Sequence, residues 1–115
     1  MHHISPNNLM SQAVIHNGTA VLSGQVALGA PNGSFREQTE EVFVRIDAIL
    51  DRCNTSKYRL ISATIWLIDL SDFAEFNSLW TAWLDGATPP ARATVRADLA
   101  LPGLRIEVQV SAATD

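Results

Sequence analysis

The sequence predicts an α+β fold, a two-layer sandwich in which a mixed β-sheet is backed by two helices. Two segments repeat apolar side chains at three- and four-residue steps, the spacing of amphipathic helices, and five others read as strands. Their order along the 115 residues is β-β-α-β-α-β-β, which fits a single domain over residues 1–115. The strand–helix–strand–helix–strand passage requires at least one parallel crossover in the sheet.

The first two strands are predicted at 12–16 and 19–27, on either side of Asn17-Gly18. Asn-Gly between two apolar runs favours a tight hairpin, because both residues tolerate positive φ. Gly24 lies inside the second of these strands, where glycine weakens the pairing. It therefore indicates either a β-bulge or a point where a ligand comes close to the backbone.

Both helices have start and stop signals. Ser34 and Glu37 form a capping box ahead of a helix over about 35–53, and Ser71 and Gly86 are placed to begin and end the second helix. The apolar stripe of the first helix contains Val42, Phe43, Ile46, Ile49, Leu50 and Cys53, so the cysteine is predicted to be a core residue. The stripe of the second contains Phe73, Phe76, Asn77, Trp80, Trp83 and Leu84. Its one amide side chain is expected to bind a neighbouring backbone group.

Three strands complete the sheet. The segment 59–68 is rich in β-branched residues, and the segments 91–98 and 103–112 follow the helix-breaking Pro89-Pro90. The last two strands alternate in character, and we expect them to be neighbours. The face that we predict to point away from the helices carries Arg92, Thr94, Arg96, Arg105, Glu107 and Gln109.

The charge is sparse and acidic. There are 8 basic and 12 acidic side chains, a net charge of −4, which argues against nucleic acid as a partner. The charged fraction of 17% is below the ~25% typical of soluble domains. A subunit interface on the sheet face away from the helices would explain the deficit. The alternative is a solvated face with cross-strand ion pairs.

The sequence lacks the patterns of a membrane span, a secretory signal and a metal site. No apolar run reaches the ~20 residues that span a bilayer, and the N-terminal segment lacks a secretory pattern, so we expect no membrane contact and a cytoplasmic location. The single cysteine fits a reducing compartment. His2, His3 and His16 lack ligand spacing, and the first two are expected on an untethered N-terminus, so no metal is predicted.

The motifs of the chain resemble one protein family over residues 11–113. They are Leu22-Ser23-Gly24-Gln25-Val26, Gln38-Thr39, Ile46-Asp47, Ala63-Thr64-Ile65-Trp66-Leu67, Asp72-Phe73, Asn77, Pro90-Ala91-Arg92-Ala93-Thr94-Val95, Leu101-Pro102 and Ile106-Glu107-Val108. The pattern is similar to that of the Rid (YjgF) family of reactive-intermediate imine and enamine deaminases, RidA among them. The run from Ala63 to Trp83 is most similar to the YoaB-like branch.

The resemblance implies a chorismate-mutase-like fold that assembles as a homotrimer around a central barrel, with ligand pockets in the clefts between subunits. It also implies hydrolysis of 2-imino and 2-enamino acids of the 2-aminoacrylate type to 2-keto acids and ammonia, without a cofactor. In this chain Arg92 would hold the substrate carboxylate, which an arginine fork matches bidentately. Glu107 would orient or activate the attacking water. Ser23, Gly24 and Thr94 would line the pocket.

Two positions depart from the family pattern. A tyrosine expected near the N-terminus is replaced by Met10, and the cysteine often found two residues after the arginine is replaced by Thr94. Arg92 and Glu107 are kept, so carboxylate binding is implied more strongly than turnover. The alternative function is therefore a non-catalytic trimer that binds small carboxylates or 2-keto acids.

Overall fold

One seven-stranded sheet with two helices makes up the protein, and the structure, a computed structural model, describes residues 1–115. The strands are β1 (His2–Ile4), β2 (Ala13–His16), β3 (Thr19–Leu22), β4 (Gln25–Val26), β5 (Leu60–Leu67), β6 (Ala91–Arg96) and β7 (Ile106–Ala113). The helices are α1 (Phe35–Arg52) and α2 (Phe73–Leu84). The predicted α+β class is confirmed. Neither helix has the length and apolar composition of a membrane span.

The strand order in the sheet is β1-β2-β3-β7-β5-β6, and β4 pairs with β7 beyond the end of β3. The pairing of β5 with β6 is parallel, and every other pairing is antiparallel. The predicted parallel crossover is thereby confirmed. The prediction that the last two strands are neighbours is wrong, because β5 lies between β6 and β7. A connection through the helix α2 places β6 on the outer edge of the sheet.

The hairpin forms at Asn17 and Gly18, whose φ values of 50° and 76° are those its tight turn requires. The N-terminus differs from the expectation. His2 and His3 are not untethered, because they form part of β1 and pair with Ile15 and Val14 of β2. A three-residue edge strand of this kind has too short a pattern to be recognised in the sequence.

The predicted strand over 19–27 is interrupted at Ser23-Gly24. Val21 pairs with Ser111 of β7 and Gln25 pairs with Val108, so the three residues between Val21 and Gln25 lie opposite two residues of β7. The extra residue is the mark of a β-bulge, which bends the strand and splits it into β3 and β4.

The helix starts are partly as predicted. Ser34 Oγ accepts from the backbone N–H of Glu37 at 3.1 Å, and the Glu37 carboxylate accepts from the Ser34 N–H at 3.4 Å, which confirms the capping box. Ser71 does not cap α2. It lies in a 3₁₀ turn ahead of α2, where the carboxylate of Asp69 accepts from its N–H at 2.9 Å. Gly86, with φ of 82°, follows the helix end.

The core lies between the helices and one face of the sheet. Aromatic rings of both helices pack there, with Phe43 stacked on Trp83 at 4.6 Å between ring centroids. Cys53 is buried as predicted, and burial raises the pKa of its thiol. On β7 the alternation holds, because Ile106 and Val108 are fully buried on the helix side.

The opposite face of the sheet, which we call the open face, is covered by no part of the chain. On β3, β7, β5 and β6 its side chains are those of Thr19, Val21, Glu107, Gln109, Ser111, Ala113, Ser62, Thr64, Trp66, Ala91, Ala93 and Val95. Glu107 is the one ionisable group among them. The open face is thus even poorer in charge than the sequence suggested.

Candidate functional site

The predicted site residues on β6 lie on the helix side of the sheet. Arg92 pairs with Ala63 of β5, whose side chain is buried beneath the helices, and alternation puts Thr94 and Arg96 on the same side. The prediction that these three share a face with Glu107 is therefore wrong. The reason is the register of the parallel β5–β6 pair, which reverses the side that we assigned to each residue of β6.

Arg92 is held by α2 at the edge of the sheet. Its Nη2 donates to Asn77 Oδ1 at 2.8 Å, and its Cζ lies 5.5–5.8 Å from the ring centroids of Phe73, Phe76 and Trp80. The guanidinium is exposed and forms no ion pair. Because four of its five N–H donors are left for other acceptors, it is poised to bind an anion.

Asn77 is the residue whose part was missed. Its position in an apolar helical stripe predicted a hydrogen bond to backbone, and the structure shows one to the Arg92 side chain instead. The signal was present in the sequence, because an amide in an apolar stripe must find a polar partner. The sequence alone did not show that β6, which carries Arg92, lies next to Asn77.

Thr94 lies two residues further along β6. Its Oγ1 is buried and has no hydrogen-bond partner within the chain. Together with Leu70 and Phe73 it lines a cavity of about 230 Å³.

Glu107 is on β7, paired with Trp66 of β5 and Val26 of β4, and its side chain lies on the open face. It is half-buried, accepts no hydrogen bond and forms no ion pair, and burial raises the pKa of its carboxyl above the ordinary value of 4.5. A carboxyl without a partner in a partly dry position is suited to accept and return a proton.

Gly24 is explained by the position of this carboxylate. A Cβ at Gly24 would overlap Glu107 Oε2 and lie 2.9 Å from its Cδ. The interpretation of Gly24 as part of a β-bulge is confirmed, and a side chain of the same chain also comes close to it. The approaching group is the carboxylate of Glu107, a member of the predicted site.

Ser23 and Gly24 line a second cavity, also of about 230 Å³, at the end of β4. Its lining is completed by Met10, Gln12, Gln25, Val26, Leu28 and Arg45. Ser23 Oγ donates to the Gln12 carbonyl at 3.3 Å and accepts from Gln25 Nε2 at 3.1 Å, so it is fixed by its neighbours. Met10, the residue at the family's tyrosine position, is half exposed in this wall.

The predicted site residues therefore form two groups. Ser23, Gly24 and Glu107, with Met10, lie around β4, and Arg92 and Thr94 lie on β6 at the sheet edge. The strand β5 separates the groups, and Arg92 and Glu107 project from opposite faces. One copy of the chain does not bring them onto one small ligand. We call the first group the glutamate half-site and the second the arginine half-site.

Arg105, which was predicted to share a face with Glu107, belongs to neither half-site. Arg105 lies before β7, and its Nη2 binds both carboxylate oxygens of Asp72 at 2.9 Å, so it joins two loops at the end of the sheet. No group of three His, Cys, Asp or Glu side chains is arranged to hold a metal ion.

Comparison with known proteins identifies the family. Residues 1–114 match the family model described as Endoribonuclease L-PSP. A RutC family protein of Haemophilus influenzae is 38% identical over 109 residues, which cover 95% of this chain and 94% of the relative. The RutC family protein YoaB of Escherichia coli is 38% identical over 90% of this chain and 89% of its own length.

Solved structures agree with this assignment. The crystal structure of a YjgF family member from Neisseria meningitidis superposes with a TM-score of 0.89 at 34% identity, covering 99% of this chain and 94% of that one. The crystal structure of a yeast protein, Mmf1, superposes with a TM-score of 0.86 at 30% identity, over 96% and 90% of the two chains. On these matches, and on the fold that carries them, the chain belongs to the YjgF/Rid family.

Proposed function

We propose that the protein is a homotrimeric hydrolase of 2-imino acids and their 2-enamino tautomers, of the 2-aminoacrylate type. Each site lies between two copies, one supplying Arg92 and the other supplying Glu107. The observation that carries the proposal is the guanidinium of Arg92, which is exposed, held by Asn77 at 2.8 Å and left without a carboxylate partner. A fixed and unpaired arginine fork is the side chain best suited to a ligand carboxylate.

The need for two copies follows from the sheet. Arg92 and Glu107 project from opposite faces with β5 between them, so a ligand a few ångströms long cannot touch both within one chain. A closed ring of three joins two different patches of each copy, because its interfaces are head-to-tail. Such a ring can set the β6 edge of one copy against the glutamate half-site of the next.

The reaction then balances with water alone. Arg92 binds the carboxylate of the 2-imino acid, and an enamine first takes a proton on its β-carbon to become the imine. Glu107 accepts a proton as the oxygen of water bonds to the imine carbon. The nitrogen, which carries two protons in the protonated imine, takes this proton back and leaves as ammonia when the carbon–nitrogen bond breaks. The hydroxyl proton passes to solvent, and a 2-keto acid remains. Orientation of a substrate that is already electrophilic is the main contribution asked of the protein.

RNA cleavage, which the name of the family model suggests, is not what we propose. The chain carries a net charge of −4, and the open face has no lysine or arginine on β3, β7, β5 or β6, where its one ionisable group is the carboxylate of Glu107. Binding to a phosphate backbone depends on lysine and arginine side chains that such a surface lacks.

The test is a coupled assay in which lactate dehydrogenase detects pyruvate formed from enzymatically generated 2-aminoacrylate. We expect the wild type to exceed spontaneous hydrolysis and Glu107→Gln to lose about 100-fold or more in turnover while still binding pyruvate. Arg92→Ala should lose both turnover and pyruvate binding. Arg36→Ala, which removes an exposed arginine on α1, is the matched control and should behave as wild type.

The pH profile tests the part played by Glu107. The base form is needed and burial raises the pKa of this carboxyl, so the rate should rise with pH through a midpoint above 4.5. Glu107→Gln should lack this limb. Wild-type rates equal to spontaneous hydrolysis would contradict the hydrolase. If Arg92 were then still required for pyruvate binding, the protein would be a carboxylate-binding trimer.

A further inference from the structure

The cavity beside the arginine half-site has no part in the chemistry just described. It holds about 230 Å³ and is lined by Leu70, Phe73 and Thr94. Leu70 is 51% exposed and Phe73 is 40% exposed, although both are large apolar side chains. Neither packs into the core, so each contributes apolar surface that is free to cover a ligand.

Phe73 links this cavity to the carboxylate-binding group. Its ring centroid lies 5.8 Å from Cζ of Arg92, and the same ring forms a wall of the cavity. Thr94 is two residues from Arg92 on the same face of β6, a distance of roughly 7 Å along a strand. A 2-imino acid whose carboxylate binds Arg92 can therefore extend its side chain into the cavity.

The lining indicates the chemistry of that side chain. Two of the three lining residues are apolar, none is charged, and the buried Thr94 Oγ1 has no protein partner. A methyl or methylene group attached to the imine carbon would leave most of 230 Å³ unfilled. A branched aliphatic or aromatic side chain would fill it and would cover both Leu70 and Phe73.

We propose that Leu70, Phe73 and Thr94 form a side-chain subsite that selects 2-imino acids with large apolar side chains over those derived from alanine or serine. This inference rests on the proposed function for its assignment of Arg92. Each buried methylene adds about fourfold to binding. A leucine-type side chain should therefore be preferred over a methyl group by about tenfold or more in kcat/KM.

The experiment compares imino acids generated by an amino-acid oxidase from leucine and from alanine. Leu70→Trp fills the cavity and should lower the leucine-to-alanine ratio of kcat/KM by about tenfold. Thr94→Val removes the unpartnered hydroxyl at constant shape and should raise the ratio about twofold. Leu101→Trp, at another half-exposed leucine, is the matched control and should leave the ratio unchanged.

Binding of the corresponding 2-keto acids separates this inference from the proposed function. Pyruvate and 4-methyl-2-oxopentanoate are titrated by calorimetry into wild type and Leu70→Trp. If no imino acid is hydrolysed but the larger keto acid binds more tightly in a Leu70-dependent way, the hydrolase is wrong and the subsite stands. Hydrolysis with no preference for the larger side chain would overturn the subsite alone. Loss of the assembly in Leu70→Trp would also overturn it, since the cavity would then receive a neighbouring chain.

Discussion

Arg92 shows what single residues revealed and what they did not. The family resemblance implied that Arg92 binds the substrate carboxylate and that Glu107 acts on the attacking water, and the structure leaves both side chains without an ion-pair partner. Their faces were assigned wrongly for Arg92 and correctly for Glu107. On β7 the buried alternation fixes the parity, whereas on the edge strand β6 five of six residues are exposed and neither parity stands out.

Asn77 positions the guanidinium, and Asn77→Asp tests this. The new carboxylate would lie within hydrogen-bond distance of Arg92 Nη2 and would compete with the substrate carboxylate for it. We expect KM to rise about tenfold or more with a smaller change in kcat, measured in the coupled assay. Ser78→Asp adds the same charge to the next, exposed residue of α2 and should leave KM near the wild-type value. Equal rises in KM for the two variants would show that the effect of Asn77→Asp comes from the added negative charge alone and not from the contact with Arg92.

At the scale of the elements, the hairpin, the capping box and both helices could be predicted because each has a local signal of a few residues. The bulge at Ser23-Gly24 was one of two readings, and it could not be separated from the other because the group that approaches Gly24 comes from β7. The β5–β6 pairing depends on where α2 returns the chain, which is a property of packing. Long-range pairings of this kind were the part that the sequence left open.

Gln38 connects α1 to the loop that precedes β7. The side chain is fully buried, and its Nε2 donates to the carbonyls of Gly33 at 3.2 Å and Gly103 at 2.8 Å. Its Oε1 accepts from the backbone N–H of Arg105 at 2.7 Å, two residues before Glu107. The amide therefore fixes the start of the strand that carries the candidate base.

Replacing this amide should destabilise the fold. Gln38→Leu leaves one N–H and two carbonyl groups without their partner, and we expect the free energy of unfolding to fall by about 2–4 kcal/mol. Urea denaturation followed by tryptophan fluorescence measures the change. Arg36→Leu, on the exposed side of the same helix, should alter stability by less than about 0.5 kcal/mol. If the free energy of unfolding fell by a similar amount in both variants, the hydrogen bonds of the Gln38 amide would make no specific contribution to stability.

At the scale of the whole molecule, the composition of the open face favours a subunit interface. The free face of an antiparallel sheet is ordinarily polar, yet here Val21 is 47% exposed and Val95 is 42% exposed, and the strands β3, β7, β5 and β6 carry one ionisable side chain on this face. The shortage of charged side chains in the sequence is most marked on this face. Three copies that turn these faces toward one another would cover them and give a particle of three times 12.5 kDa.

Mixed assemblies test whether each site is shared between copies. Arg92→Ala and Glu107→Gln chains should each be inactive alone, but when co-expressed they should form interfaces in which one copy keeps the arginine and the next keeps the glutamate. Random mixing in a head-to-tail ring makes about a quarter of the sites complete, so activity should return to about a quarter of wild type.

The control co-expresses Arg92→Ala with the double variant Arg92→Ala/Glu107→Gln, in which no chain retains the arginine and no activity should return. Sedimentation of each mixture checks that assembly is intact. If the first mixture were no more active than its separate components while its mass stayed that of a trimer, Arg92 and Glu107 would not serve the same site. The opposite placement of the two side chains would then reflect two independent functions of the sheet.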